Sequence, residues 1–274
     1  MYGAIIGDIC GSIYEFSNHK TERPEEIELI NQKCLYTDDT VLTIAAADAI
    51  LSDKDYRRTF IQWGRKYINS GYGSRFKKWL KKKNPKPYKS WGNGSAMRVS
   101  PIGWAFDTME ETLQEAEKSA AVTHNHKEGI KGAKAIAAAI YLARNNKSKD
   151  EIKYYIENEF NYNLNNEIKN IRKHYKFDGS CQGTVPEAII AFLESDDFIN
   201  SIQIAISIGG DTDTICCITG SISEAFYKYI PIQIIDFASK KITEEMKIIF
   251  NSFYNKYLTQ YGINYSIKSI DILI

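Results

Sequence analysis

Two short acidic motifs contain the residues with the clearest capacity for chemistry. TDDT at residues 37–40 and GGDTDT at residues 209–214 each place two aspartates and two threonines immediately before an apolar run. Carboxylate and hydroxyl oxygens suit Mg²⁺ or Mn²⁺ better than zinc or copper. If the motifs meet in the fold, four carboxylates share a small volume, and a bound cation relieves their repulsion. The ligands of the predicted binuclear site are Thr37, Asp38, Asp39, Asp211, Asp213 and Thr214.

Helix capping is the alternative role for these motifs. Thr37 could be the N-cap residue of a helix whose first turn contains Asp38 and Asp39, where negative charge is favourable. The same pattern returns after the glycine turn at residues 209–210. This repetition favours the metal site.

The segment GAIIGDICGSIYEF, residues 3–16, supplies a further candidate. Gly3, Gly7 and Gly11 recur every four residues and therefore lie on one face of a helix, where they favour close packing of a second helix. Glu15 follows among apolar and aromatic residues, where a carboxylate is costly unless it is paired or bound. We therefore keep Glu15 as a candidate functional residue.

Two segments in the middle of the chain carry weaker signals. SWGNGSAMRVSP, residues 90–101, is a glycine-rich turn whose free amides could bind phosphate oxygens, although an ordinary turn explains the same pattern. VTHNHKEG, residues 122–129, offers His124 and His126. Without further histidine or cysteine ligands, a helix-cap or hydrogen-bonding role is favoured over a transition-metal site.

The elements that must position these residues are predicted to be helices in a compact all-α domain. Stretches such as GAKAIAAAIYLA are apolar on every side, which is typical of helices buried among other helices. The least helical parts are residues 71–94 and the tail at 263–274, whose alternation could form a short strand. The predicted helices cover about residues 2–15, 38–52, 55–69, 96–106, 110–122, 127–145, 149–160, 185–194, 197–207, 213–228, 231–240 and 243–260.

Length and composition limit the class of protein. With 274 residues, 43% of them hydrophobic, the chain can bury a large core, and we expect one domain over residues 1–274. Its 35 basic and 34 acidic residues nearly cancel, so no overall field favours nucleic acid or an anionic membrane. The sequence has no apolar stretch typical of a membrane span or secretory signal, and its five cysteines include no CxxC pair. We expect a cytoplasmic protein without structural disulfides.

The order of the motifs resembles the ADP-ribosylglycohydrolase family. GDICGS with the glutamate that follows it, TDDT, GNGSAMR, THNHKEGIKGA, CQGTVPEAI and IGGDTDT occur in family order over about residues 2–230, ahead of C-terminal helices and a tail at 231–274. The resemblance implies an orthogonal multi-helix bundle with two Mg²⁺ or Mn²⁺ ions at its centre. It also implies hydrolysis of the glycosidic bond between ADP-ribose and an acceptor.

The resemblance assigns roles to individual residues. It gives metal ligation to the six residues named above and places Glu15 beside the metals. Glu15 or Asp39 would accept a proton as water attacks the anomeric carbon. Residues 181–187 would form one wall of the cleft. The predicted substrate-binding residues are Gly92, Asn93, Gly94, Ser95 and His124.

The acceptor and two further functions stay open at this point. A protein side chain such as arginine or serine, a nucleic-acid base or a small O-acetyl group would all present ADP-ribose similarly. The basic stretch at residues 75–89 is typical of a solvated surface, but its Trp79 and Tyr88 keep a nucleic-acid acceptor as a less favoured alternative. The two further functions are those of a catalytically silent ADP-ribose-binding or structural relative and of a Mg²⁺-dependent hydrolase of another phosphorylated nucleoside. The acidic residues that the chain retains favour an active hydrolase.

Overall fold

The computed structural model describes residues 1–17 and 19–263, and over these residues the chain forms fourteen α-helices and no β-strand. This confirms the all-α prediction. The strand predicted in the tail falls on residues 264–274, outside the described residues. The helices are α1 (Tyr2–Gly11), α2 (Asp38–Leu51), α3 (Tyr56–Lys66), α4 (Ser74–Leu80), α5 (Ser100–Ala105), α6 (Met109–Ala121), α7 (Lys127–Arg144), α8 (Lys149–Phe160), α9 (Ile168–His174), α10 (Cys181–Glu194), α11 (Phe198–Ile208), α12 (Thr212–Tyr227), α13 (Ile232–Ser239) and α14 (Glu244–Phe253).

All twelve predicted helices occur, with corrected ends, and two short ones were not predicted. The first helix ends at Gly11 rather than at residue 15, and residues 12–17 form turns. The unpredicted helices are α4, inside the glycine- and lysine-rich part of the chain, and α9. Each has only seven residues, which is too few for a periodic pattern to be recognised reliably.

Helices α1 and α12 pack in unusually close contact because three glycines of α1 face the backbone of α12. A Cβ atom at Gly3 would lie 2.1 Å from the carbonyl oxygen of Gly220, and one at Gly7 would lie 2.0 Å from that of Cys216. At Gly11 the nearest atom would be the Thr212 oxygen at 2.5 Å. The prediction that these glycines allow close helix packing is confirmed. The consequence for the site is that the end of α1 reaches the beginning of α12.

One hydrophobic core extends through the described residues, from Met1 to Ile263. Helix α12 runs through it with the residues from Thr212 to Ala225 all buried. The five cysteines are buried and free, as predicted. Across residues 1–17 and 19–263, no helix combines the length and apolar character needed to cross a bilayer.

Candidate active site

Two helix N-termini and the end of α1 meet at one place in the molecule. α2 begins at Asp38, directly after its N-cap residue Thr37, and α12 begins directly after Asp211. Thr37 Oγ1 accepts a hydrogen bond from Asp39 N at 3.3 Å, so the capping role considered for this motif is confirmed. The first-turn backbone amides of both helices favour negative charge nearby. Capping and clustering of acidic residues thus occur together.

The carboxylates of both acidic motifs and Glu15 lie around the same space. One carboxylate oxygen from each of Glu15, Asp211 and Asp213 lies within 4.8 Å of the other two. Asp38 and Asp39 line the same cavity as these three residues. The structure therefore brings together carboxylates that are almost two hundred residues apart in the sequence.

Burial and like charges raise the pKa of every carboxyl group in this cluster. Burial, assisted by the charges of Asp211 and Asp8, raises the pKa of Glu15 to about 7. Burial and the neighbouring Asp8 raise the pKa of Asp38 to about 8. Desolvation, followed by the charges of neighbouring aspartates, raises the pKa of Asp39 and of Asp213 well above the usual carboxyl range. Such a cluster retains protons at neutral pH unless cations replace them.

The oxygen donors fit a hard divalent cation. Asp39 Oδ2 is buried and receives no hydrogen bond from the part of the chain that the structure describes. A buried carboxylate oxygen without a donor is costly, and a cation would satisfy it. The neighbouring donors Thr37 and Thr214 add hydroxyl oxygens at the same cavity wall. This set has the chemistry that Mg²⁺ or Mn²⁺ prefers.

Asp8 is a buried carboxylate beside the first acidic motif that the sequence analysis missed. Its fully buried carboxylate accepts hydrogen bonds from Thr37 N at 2.9 Å, Thr37 Oγ1 at 2.7 Å and Thr40 N at 3.0 Å, and also from Thr40 Oγ1. These donors belong to the beginning of α2. Asp8 therefore fixes the orientation of the first acidic motif from the middle of α1.

A cavity of about 450 Å³ opens above the acidic cluster. This volume lies within the roughly 300–1,000 Å³ typical of small-molecule sites. Phe16 and Phe177 mark its solvent end, because they are 84% and 55% exposed and their rings stack with centroids 6.2 Å apart. Arg75 and Tyr88 also line the cavity, together with the glycine-rich loop.

The glycine-rich loop is tied directly to the acidic cluster. Asn93 Nδ2 donates to Asp211 Oδ2 at 2.7 Å and to Thr184 Oγ1 at 3.0 Å. Asn93 N donates to the carbonyl oxygen of Gly179 at 2.9 Å. Gly92 and Gly94 line the cavity, and a Cβ atom at Gly94 would lie 3.3 Å from the His124 ring. At these two glycines the loop therefore exposes its backbone to the cavity.

His124 is a buried, neutral histidine at the cavity wall. Burial, with the charges of Arg98 and Arg75, lowers the pKa of His124 well below its usual value. Thr123 Oγ1 lies 2.7 Å from His124 Nδ1 and accepts a hydrogen bond from Arg98 Nη2 at 3.0 Å. We assign the Thr123 hydroxyl as the donor of this hydrogen bond and His124 Nδ1 as its acceptor. The proton of the neutral ring is then on Nε2, next to Gly94. His126 instead caps α7, since its Nδ1 accepts from the backbone of that helix, at Glu128 N.

Two predicted parts of the cleft lie behind its surface. Ser95 is fully buried and its hydroxyl donates to the Gly129 carbonyl at 2.7 Å, so its side chain does not line the cavity. The wall expected from residues 181–187 is formed instead by Phe177 and Gly179. Cys181, the first residue of α10, supports the loop from behind through a hydrogen bond to the Gly92 carbonyl. Gly179 lines the cavity and α10 begins two residues later, so residues 181–187 lie behind the cavity wall.

Comparison with known proteins identifies the family. The sequence profile described as ADP-ribosylglycohydrolase matches residues 1–253. The chain belongs to the ADP-ribosylglycohydrolase family. The predicted resemblance and the predicted enzyme class, a hydrolase of this family, are confirmed.

Individual relatives of the ADP-ribosylglycohydrolase family show the extent of the similarity. The mouse protein ADP-ribosylhydrolase ARH3 is 27% identical, over 82% of this chain and 82% of its own length. The Pseudomonas putida protein ADP-ribosylarginine hydrolase Tri1 is 24% identical, over 83% of this chain and 69% of its own length. A solved structure titled ADP-ribosylglycohydrolase-related protein complex aligns with a TM-score of 0.72 at 21% identity, covering 93% of this chain and 95% of that one. The structural match confirms the fold.

Several residues that line the cavity were not identified from the sequence. Arg75 and Phe177 were not among the predicted substrate-binding residues, and Tyr88 was noted only for its aromatic ring. Arg75 and Tyr88 lie in the basic stretch at residues 75–89, whose pattern does not indicate a cavity, and no short motif surrounds Phe177. All three reach the cavity through the packing of distant segments. Asp8 had one visible signal, a single charge in the apolar run GAIIGDICG.

Proposed function

We propose that the chain hydrolyses the glycosidic bond between ADP-ribose and an acceptor, with divalent cations bound at the acidic cluster, and that it releases free ADP-ribose. The observation that supports this most directly is the convergence of Glu15, Asp211 and Asp213 within 4.8 Å at the floor of the cavity. The family and the names of the relatives support the substrate class. We further propose that the chain acts as a single domain, because its helices share one core.

The proposed cofactors are two Mg²⁺ or Mn²⁺ ions. When bound, such ions polarise substrate oxygens and lower the pKa of water. The unsatisfied Asp39 Oδ2 and the raised pKa values of the cluster support cation binding there. The residues that would hold the ions are Thr37, Asp38, Asp39, Asp211, Asp213 and Thr214.

Glu15 is the residue that we propose as general base. It is half-buried and lines the cavity, and burial raises the pKa of its carboxyl group, so it is placed to take up a proton from a water molecule there. In the proposed reaction the oxygen of a water molecule bonds to the anomeric carbon and Glu15 takes the water proton. The bond from that carbon to the acceptor breaks, and the acceptor leaves with the bonding electron pair and takes up a proton from solvent. Asp39 is the second candidate for this role, because it reaches the same cavity.

The opposite wall is proposed to hold the ADP part of the substrate. Gly92 and Gly94 allow phosphate oxygens to approach the backbone closely, and Asn93 fixes the loop relative to the acidic cluster. His124 Nε2–H is assigned as a neutral donor facing this loop. The Arg75 guanidinium lines the same cavity and offers the charge that pairs with a diphosphate.

The acceptor is proposed to be a protein side chain or a small conjugate. One relative is named as acting on ADP-ribosylarginine and others more generally as ADP-ribosylhydrolases, so arginine and serine linkages are the first to test. A catalytically silent relative is disfavoured because all six proposed ligands and Glu15 are present. A hydrolase of another phosphorylated nucleoside is distinguished by its products, since only cleavage of the glycosidic bond releases intact ADP-ribose.

The first experiment is a calorimetric titration with ADP-ribose. The native protein should bind ADP-ribose in the presence of Mg²⁺, and chelation or Asp211→Ala should weaken binding and abolish ADP-ribose release from arginine- and serine-linked peptides. Asp107→Ala, at an exposed aspartate away from the cavity, is the matched control and should behave as the native protein. Absence of ADP-ribose binding in every state would refute the proposed substrate cavity. Native turnover by Asp211→Ala would refute the metal assignment.

A further inference from the structure

Residues 75–89, called here the basic segment, carry a charge that the rest of the chain does not share. The segment contains eight lysines and arginines and no acidic residue. The remainder has 27 basic and 34 acidic residues, a net charge of −7, so the overall charge of +1 conceals a strong separation. A local positive field therefore exists on a molecule that is otherwise acidic.

The fold holds the backbone of the basic segment in place. Trp79, Leu80 and Pro85 are buried and anchor it to the core. Arg65, in α3, donates to the carbonyl oxygens of Leu80 at 2.9 Å and Lys82 at 2.8 Å. The lysines of the basic segment therefore lie on a fixed surface rather than on a free tail.

The far end of the basic segment is fixed beside the cavity wall. Tyr88 N donates to the Thr123 carbonyl at 3.3 Å, and Lys89 N donates to Asn125 Oδ1 at 2.7 Å. Both acceptors flank His124, which lines the cavity. The position of the segment relative to the proposed active site is thus determined by direct contacts.

The charges of the basic segment are not neutralised within the described chain. Six of its lysines are exposed, and over residues 1–17 and 19–263 no ion pair involves any lysine of the segment. Several lysines elsewhere, such as Lys118 and Lys147, do pair with glutamates. Like charges collected on a fixed surface repel each other, and an anionic partner relieves that repulsion. The exposed lysines are Lys78, Lys81, Lys82, Lys83, Lys86 and Lys89.

The basic segment joins the cavity through aromatic and cationic side chains. Arg75 and Tyr88 belong to the segment and also line the cavity. The Arg75 guanidinium lies 5.0 Å from the Tyr88 ring centroid and 5.9 Å from that of Trp91, whose side chain is 49% exposed. Stacking surfaces next to a row of cations are the features with which proteins bind single-stranded nucleic acid.

We propose that the basic segment binds single-stranded nucleic acid and holds it with the cavity in reach of an ADP-ribosylated position. Charge complementarity favours any polyanion, and the exposed aromatic and guanidinium groups at the junction favour a strand of nucleotides over an acidic protein. Removal of ADP-ribose from the strand rests on the proposed hydrolase activity and adds nucleic acid to the protein side chains and small conjugates proposed above as acceptors. Binding of an unmodified strand to the basic segment is independent of that activity.

The test measures fluorescence anisotropy of a labelled single strand of about 20 nucleotides, as DNA and as RNA, with the full chain at about 50 and 200 mM salt. The native protein should bind in a salt-dependent manner. Each phosphate contact contributes about −0.7 to the slope of log affinity against log salt for single strands. The variant Lys81→Gln, Lys82→Gln, Lys83→Gln should therefore have a slope shallower by about 2 and an affinity at least about tenfold lower at the lower salt concentration.

The matched control removes the same charge elsewhere. Lys33→Gln, Lys173→Gln, Lys240→Gln changes three exposed lysines outside the segment and should retain native strand binding. Equal losses in both triple variants, or no strand binding by the native protein, would overturn the inference. It would also be overturned if a polyglutamate peptide of similar length competed as well as the strand, since the surface would then not distinguish nucleic acid.

A second readout separates this inference from the proposed function. The basic-segment variant should release ADP-ribose from a small ADP-ribosylated amino acid at the native rate, because the three substituted lysines do not line the cavity. If the native protein releases ADP-ribose but does not bind the strand, the proposed nucleic-acid surface is refuted and the proposed function stands. Strand binding without release of ADP-ribose from any substrate would overturn the proposed function and leave the binding surface supported.

Discussion

The two ends of helix α12 both contain buried carboxylates, in opposite electrostatic settings. Near its C-terminal end, Glu224 is fully buried and accepts hydrogen bonds from Tyr2 N at 3.0 Å and Gly3 N at 2.9 Å. These amides belong to the first turn of α1, where an acceptor is needed. At the N-terminal end, Asp211 and Asp213 instead face each other and Glu15 within 4.8 Å.

The difference shows how to distinguish a structural buried carboxylate from one that prepares a site. Glu224 is matched by donors at a helix N-terminus, so its charge stabilises the folded state. The carboxylates at the other end are clustered with like charges, which destabilises the ionised protein until a cation binds. Replacing a member of each set should therefore have opposite effects on activity and stability.

The largest expected effect is the loss of turnover in Asp213→Asn. Removing one carboxylate from the cluster should lower ADP-ribose release by at least about a hundredfold, the scale of losing one preorganised electrostatic group. The melting temperature measured without metal should stay the same or rise, because one like charge has been removed. Rates at saturating Mg²⁺ and thermal unfolding after chelation measure the two effects. Asp107→Asn is the control, and native turnover by Asp213→Asn would remove the distinction drawn between the two ends of α12.

Asp8→Asn should have the next largest effect, through metal affinity. Asparagine offers one carbonyl oxygen where the carboxylate accepts bonds from Thr37 and Thr40, so the first acidic motif loses its fixed orientation. Loss of such a supporting hydrogen bond typically weakens metal binding about 10- to 100-fold. Calorimetric titration with Mn²⁺ measures it directly. If Asp8→Asn is only less stable and binds Mn²⁺ as the native protein does, then Asp8 is structural, like Glu224.

Glu224→Gln should lower stability and leave catalysis intact. The substitution leaves one oxygen to face the amides of Tyr2 and Gly3 and removes the charge, which should cost about 1–3 kcal/mol of unfolding free energy. Urea unfolding gives this value, and the rate per folded molecule should equal that of the native protein. A fall in turnover comparable to that of Asp213→Asn would mean that both ends of α12 serve the reaction.

The fold class and the carboxylates of the acidic cluster could be predicted from the sequence, because helices and acidic motifs are each recognised from a short local pattern. Apolar periodicity identified twelve helices, and the repeated pair of acidic motifs indicated one shared site. The end of α1 was placed too late because Ile13 and Tyr14 continue the apolar pattern after Gly11 and pack against the core from a turn.

The supporting residues could not be predicted because their partners are distant in the sequence. Asp8 lies 29 residues from Thr37, and Glu224 lies 222 residues from Tyr2. Each is an isolated charge within an apolar stretch of a helix, and the sequence does not distinguish a carboxylate satisfied by a helix N-terminus from one that faces other carboxylates. Ser95 illustrates the converse, since its motif suggested a ligand contact while its hydroxyl is used by Gly129.

The smallest expected effect concerns a partly buried carboxyl group outside the acidic cluster, Glu187 in α10. Burial, with a smaller contribution from Asp178, raises the pKa of Glu187 from 4.5 to about 7. The folded state therefore binds this proton more tightly than the unfolded chain does, and the stability that results is complete below about pH 4.5 and lost as the pH rises to about 7. In Glu187→Gln this dependence is absent, so the stability of the variant relative to the native protein should increase through that range and stay constant above it. Urea midpoints at several pH values test this, with Glu159→Gln at an exposed glutamate as control. Parallel pH profiles for the native protein and Glu187→Gln would mean that burial at this helix is too slight to shift a carboxyl group, and that the raised pKa values at α12 depend on the clustering of like charges.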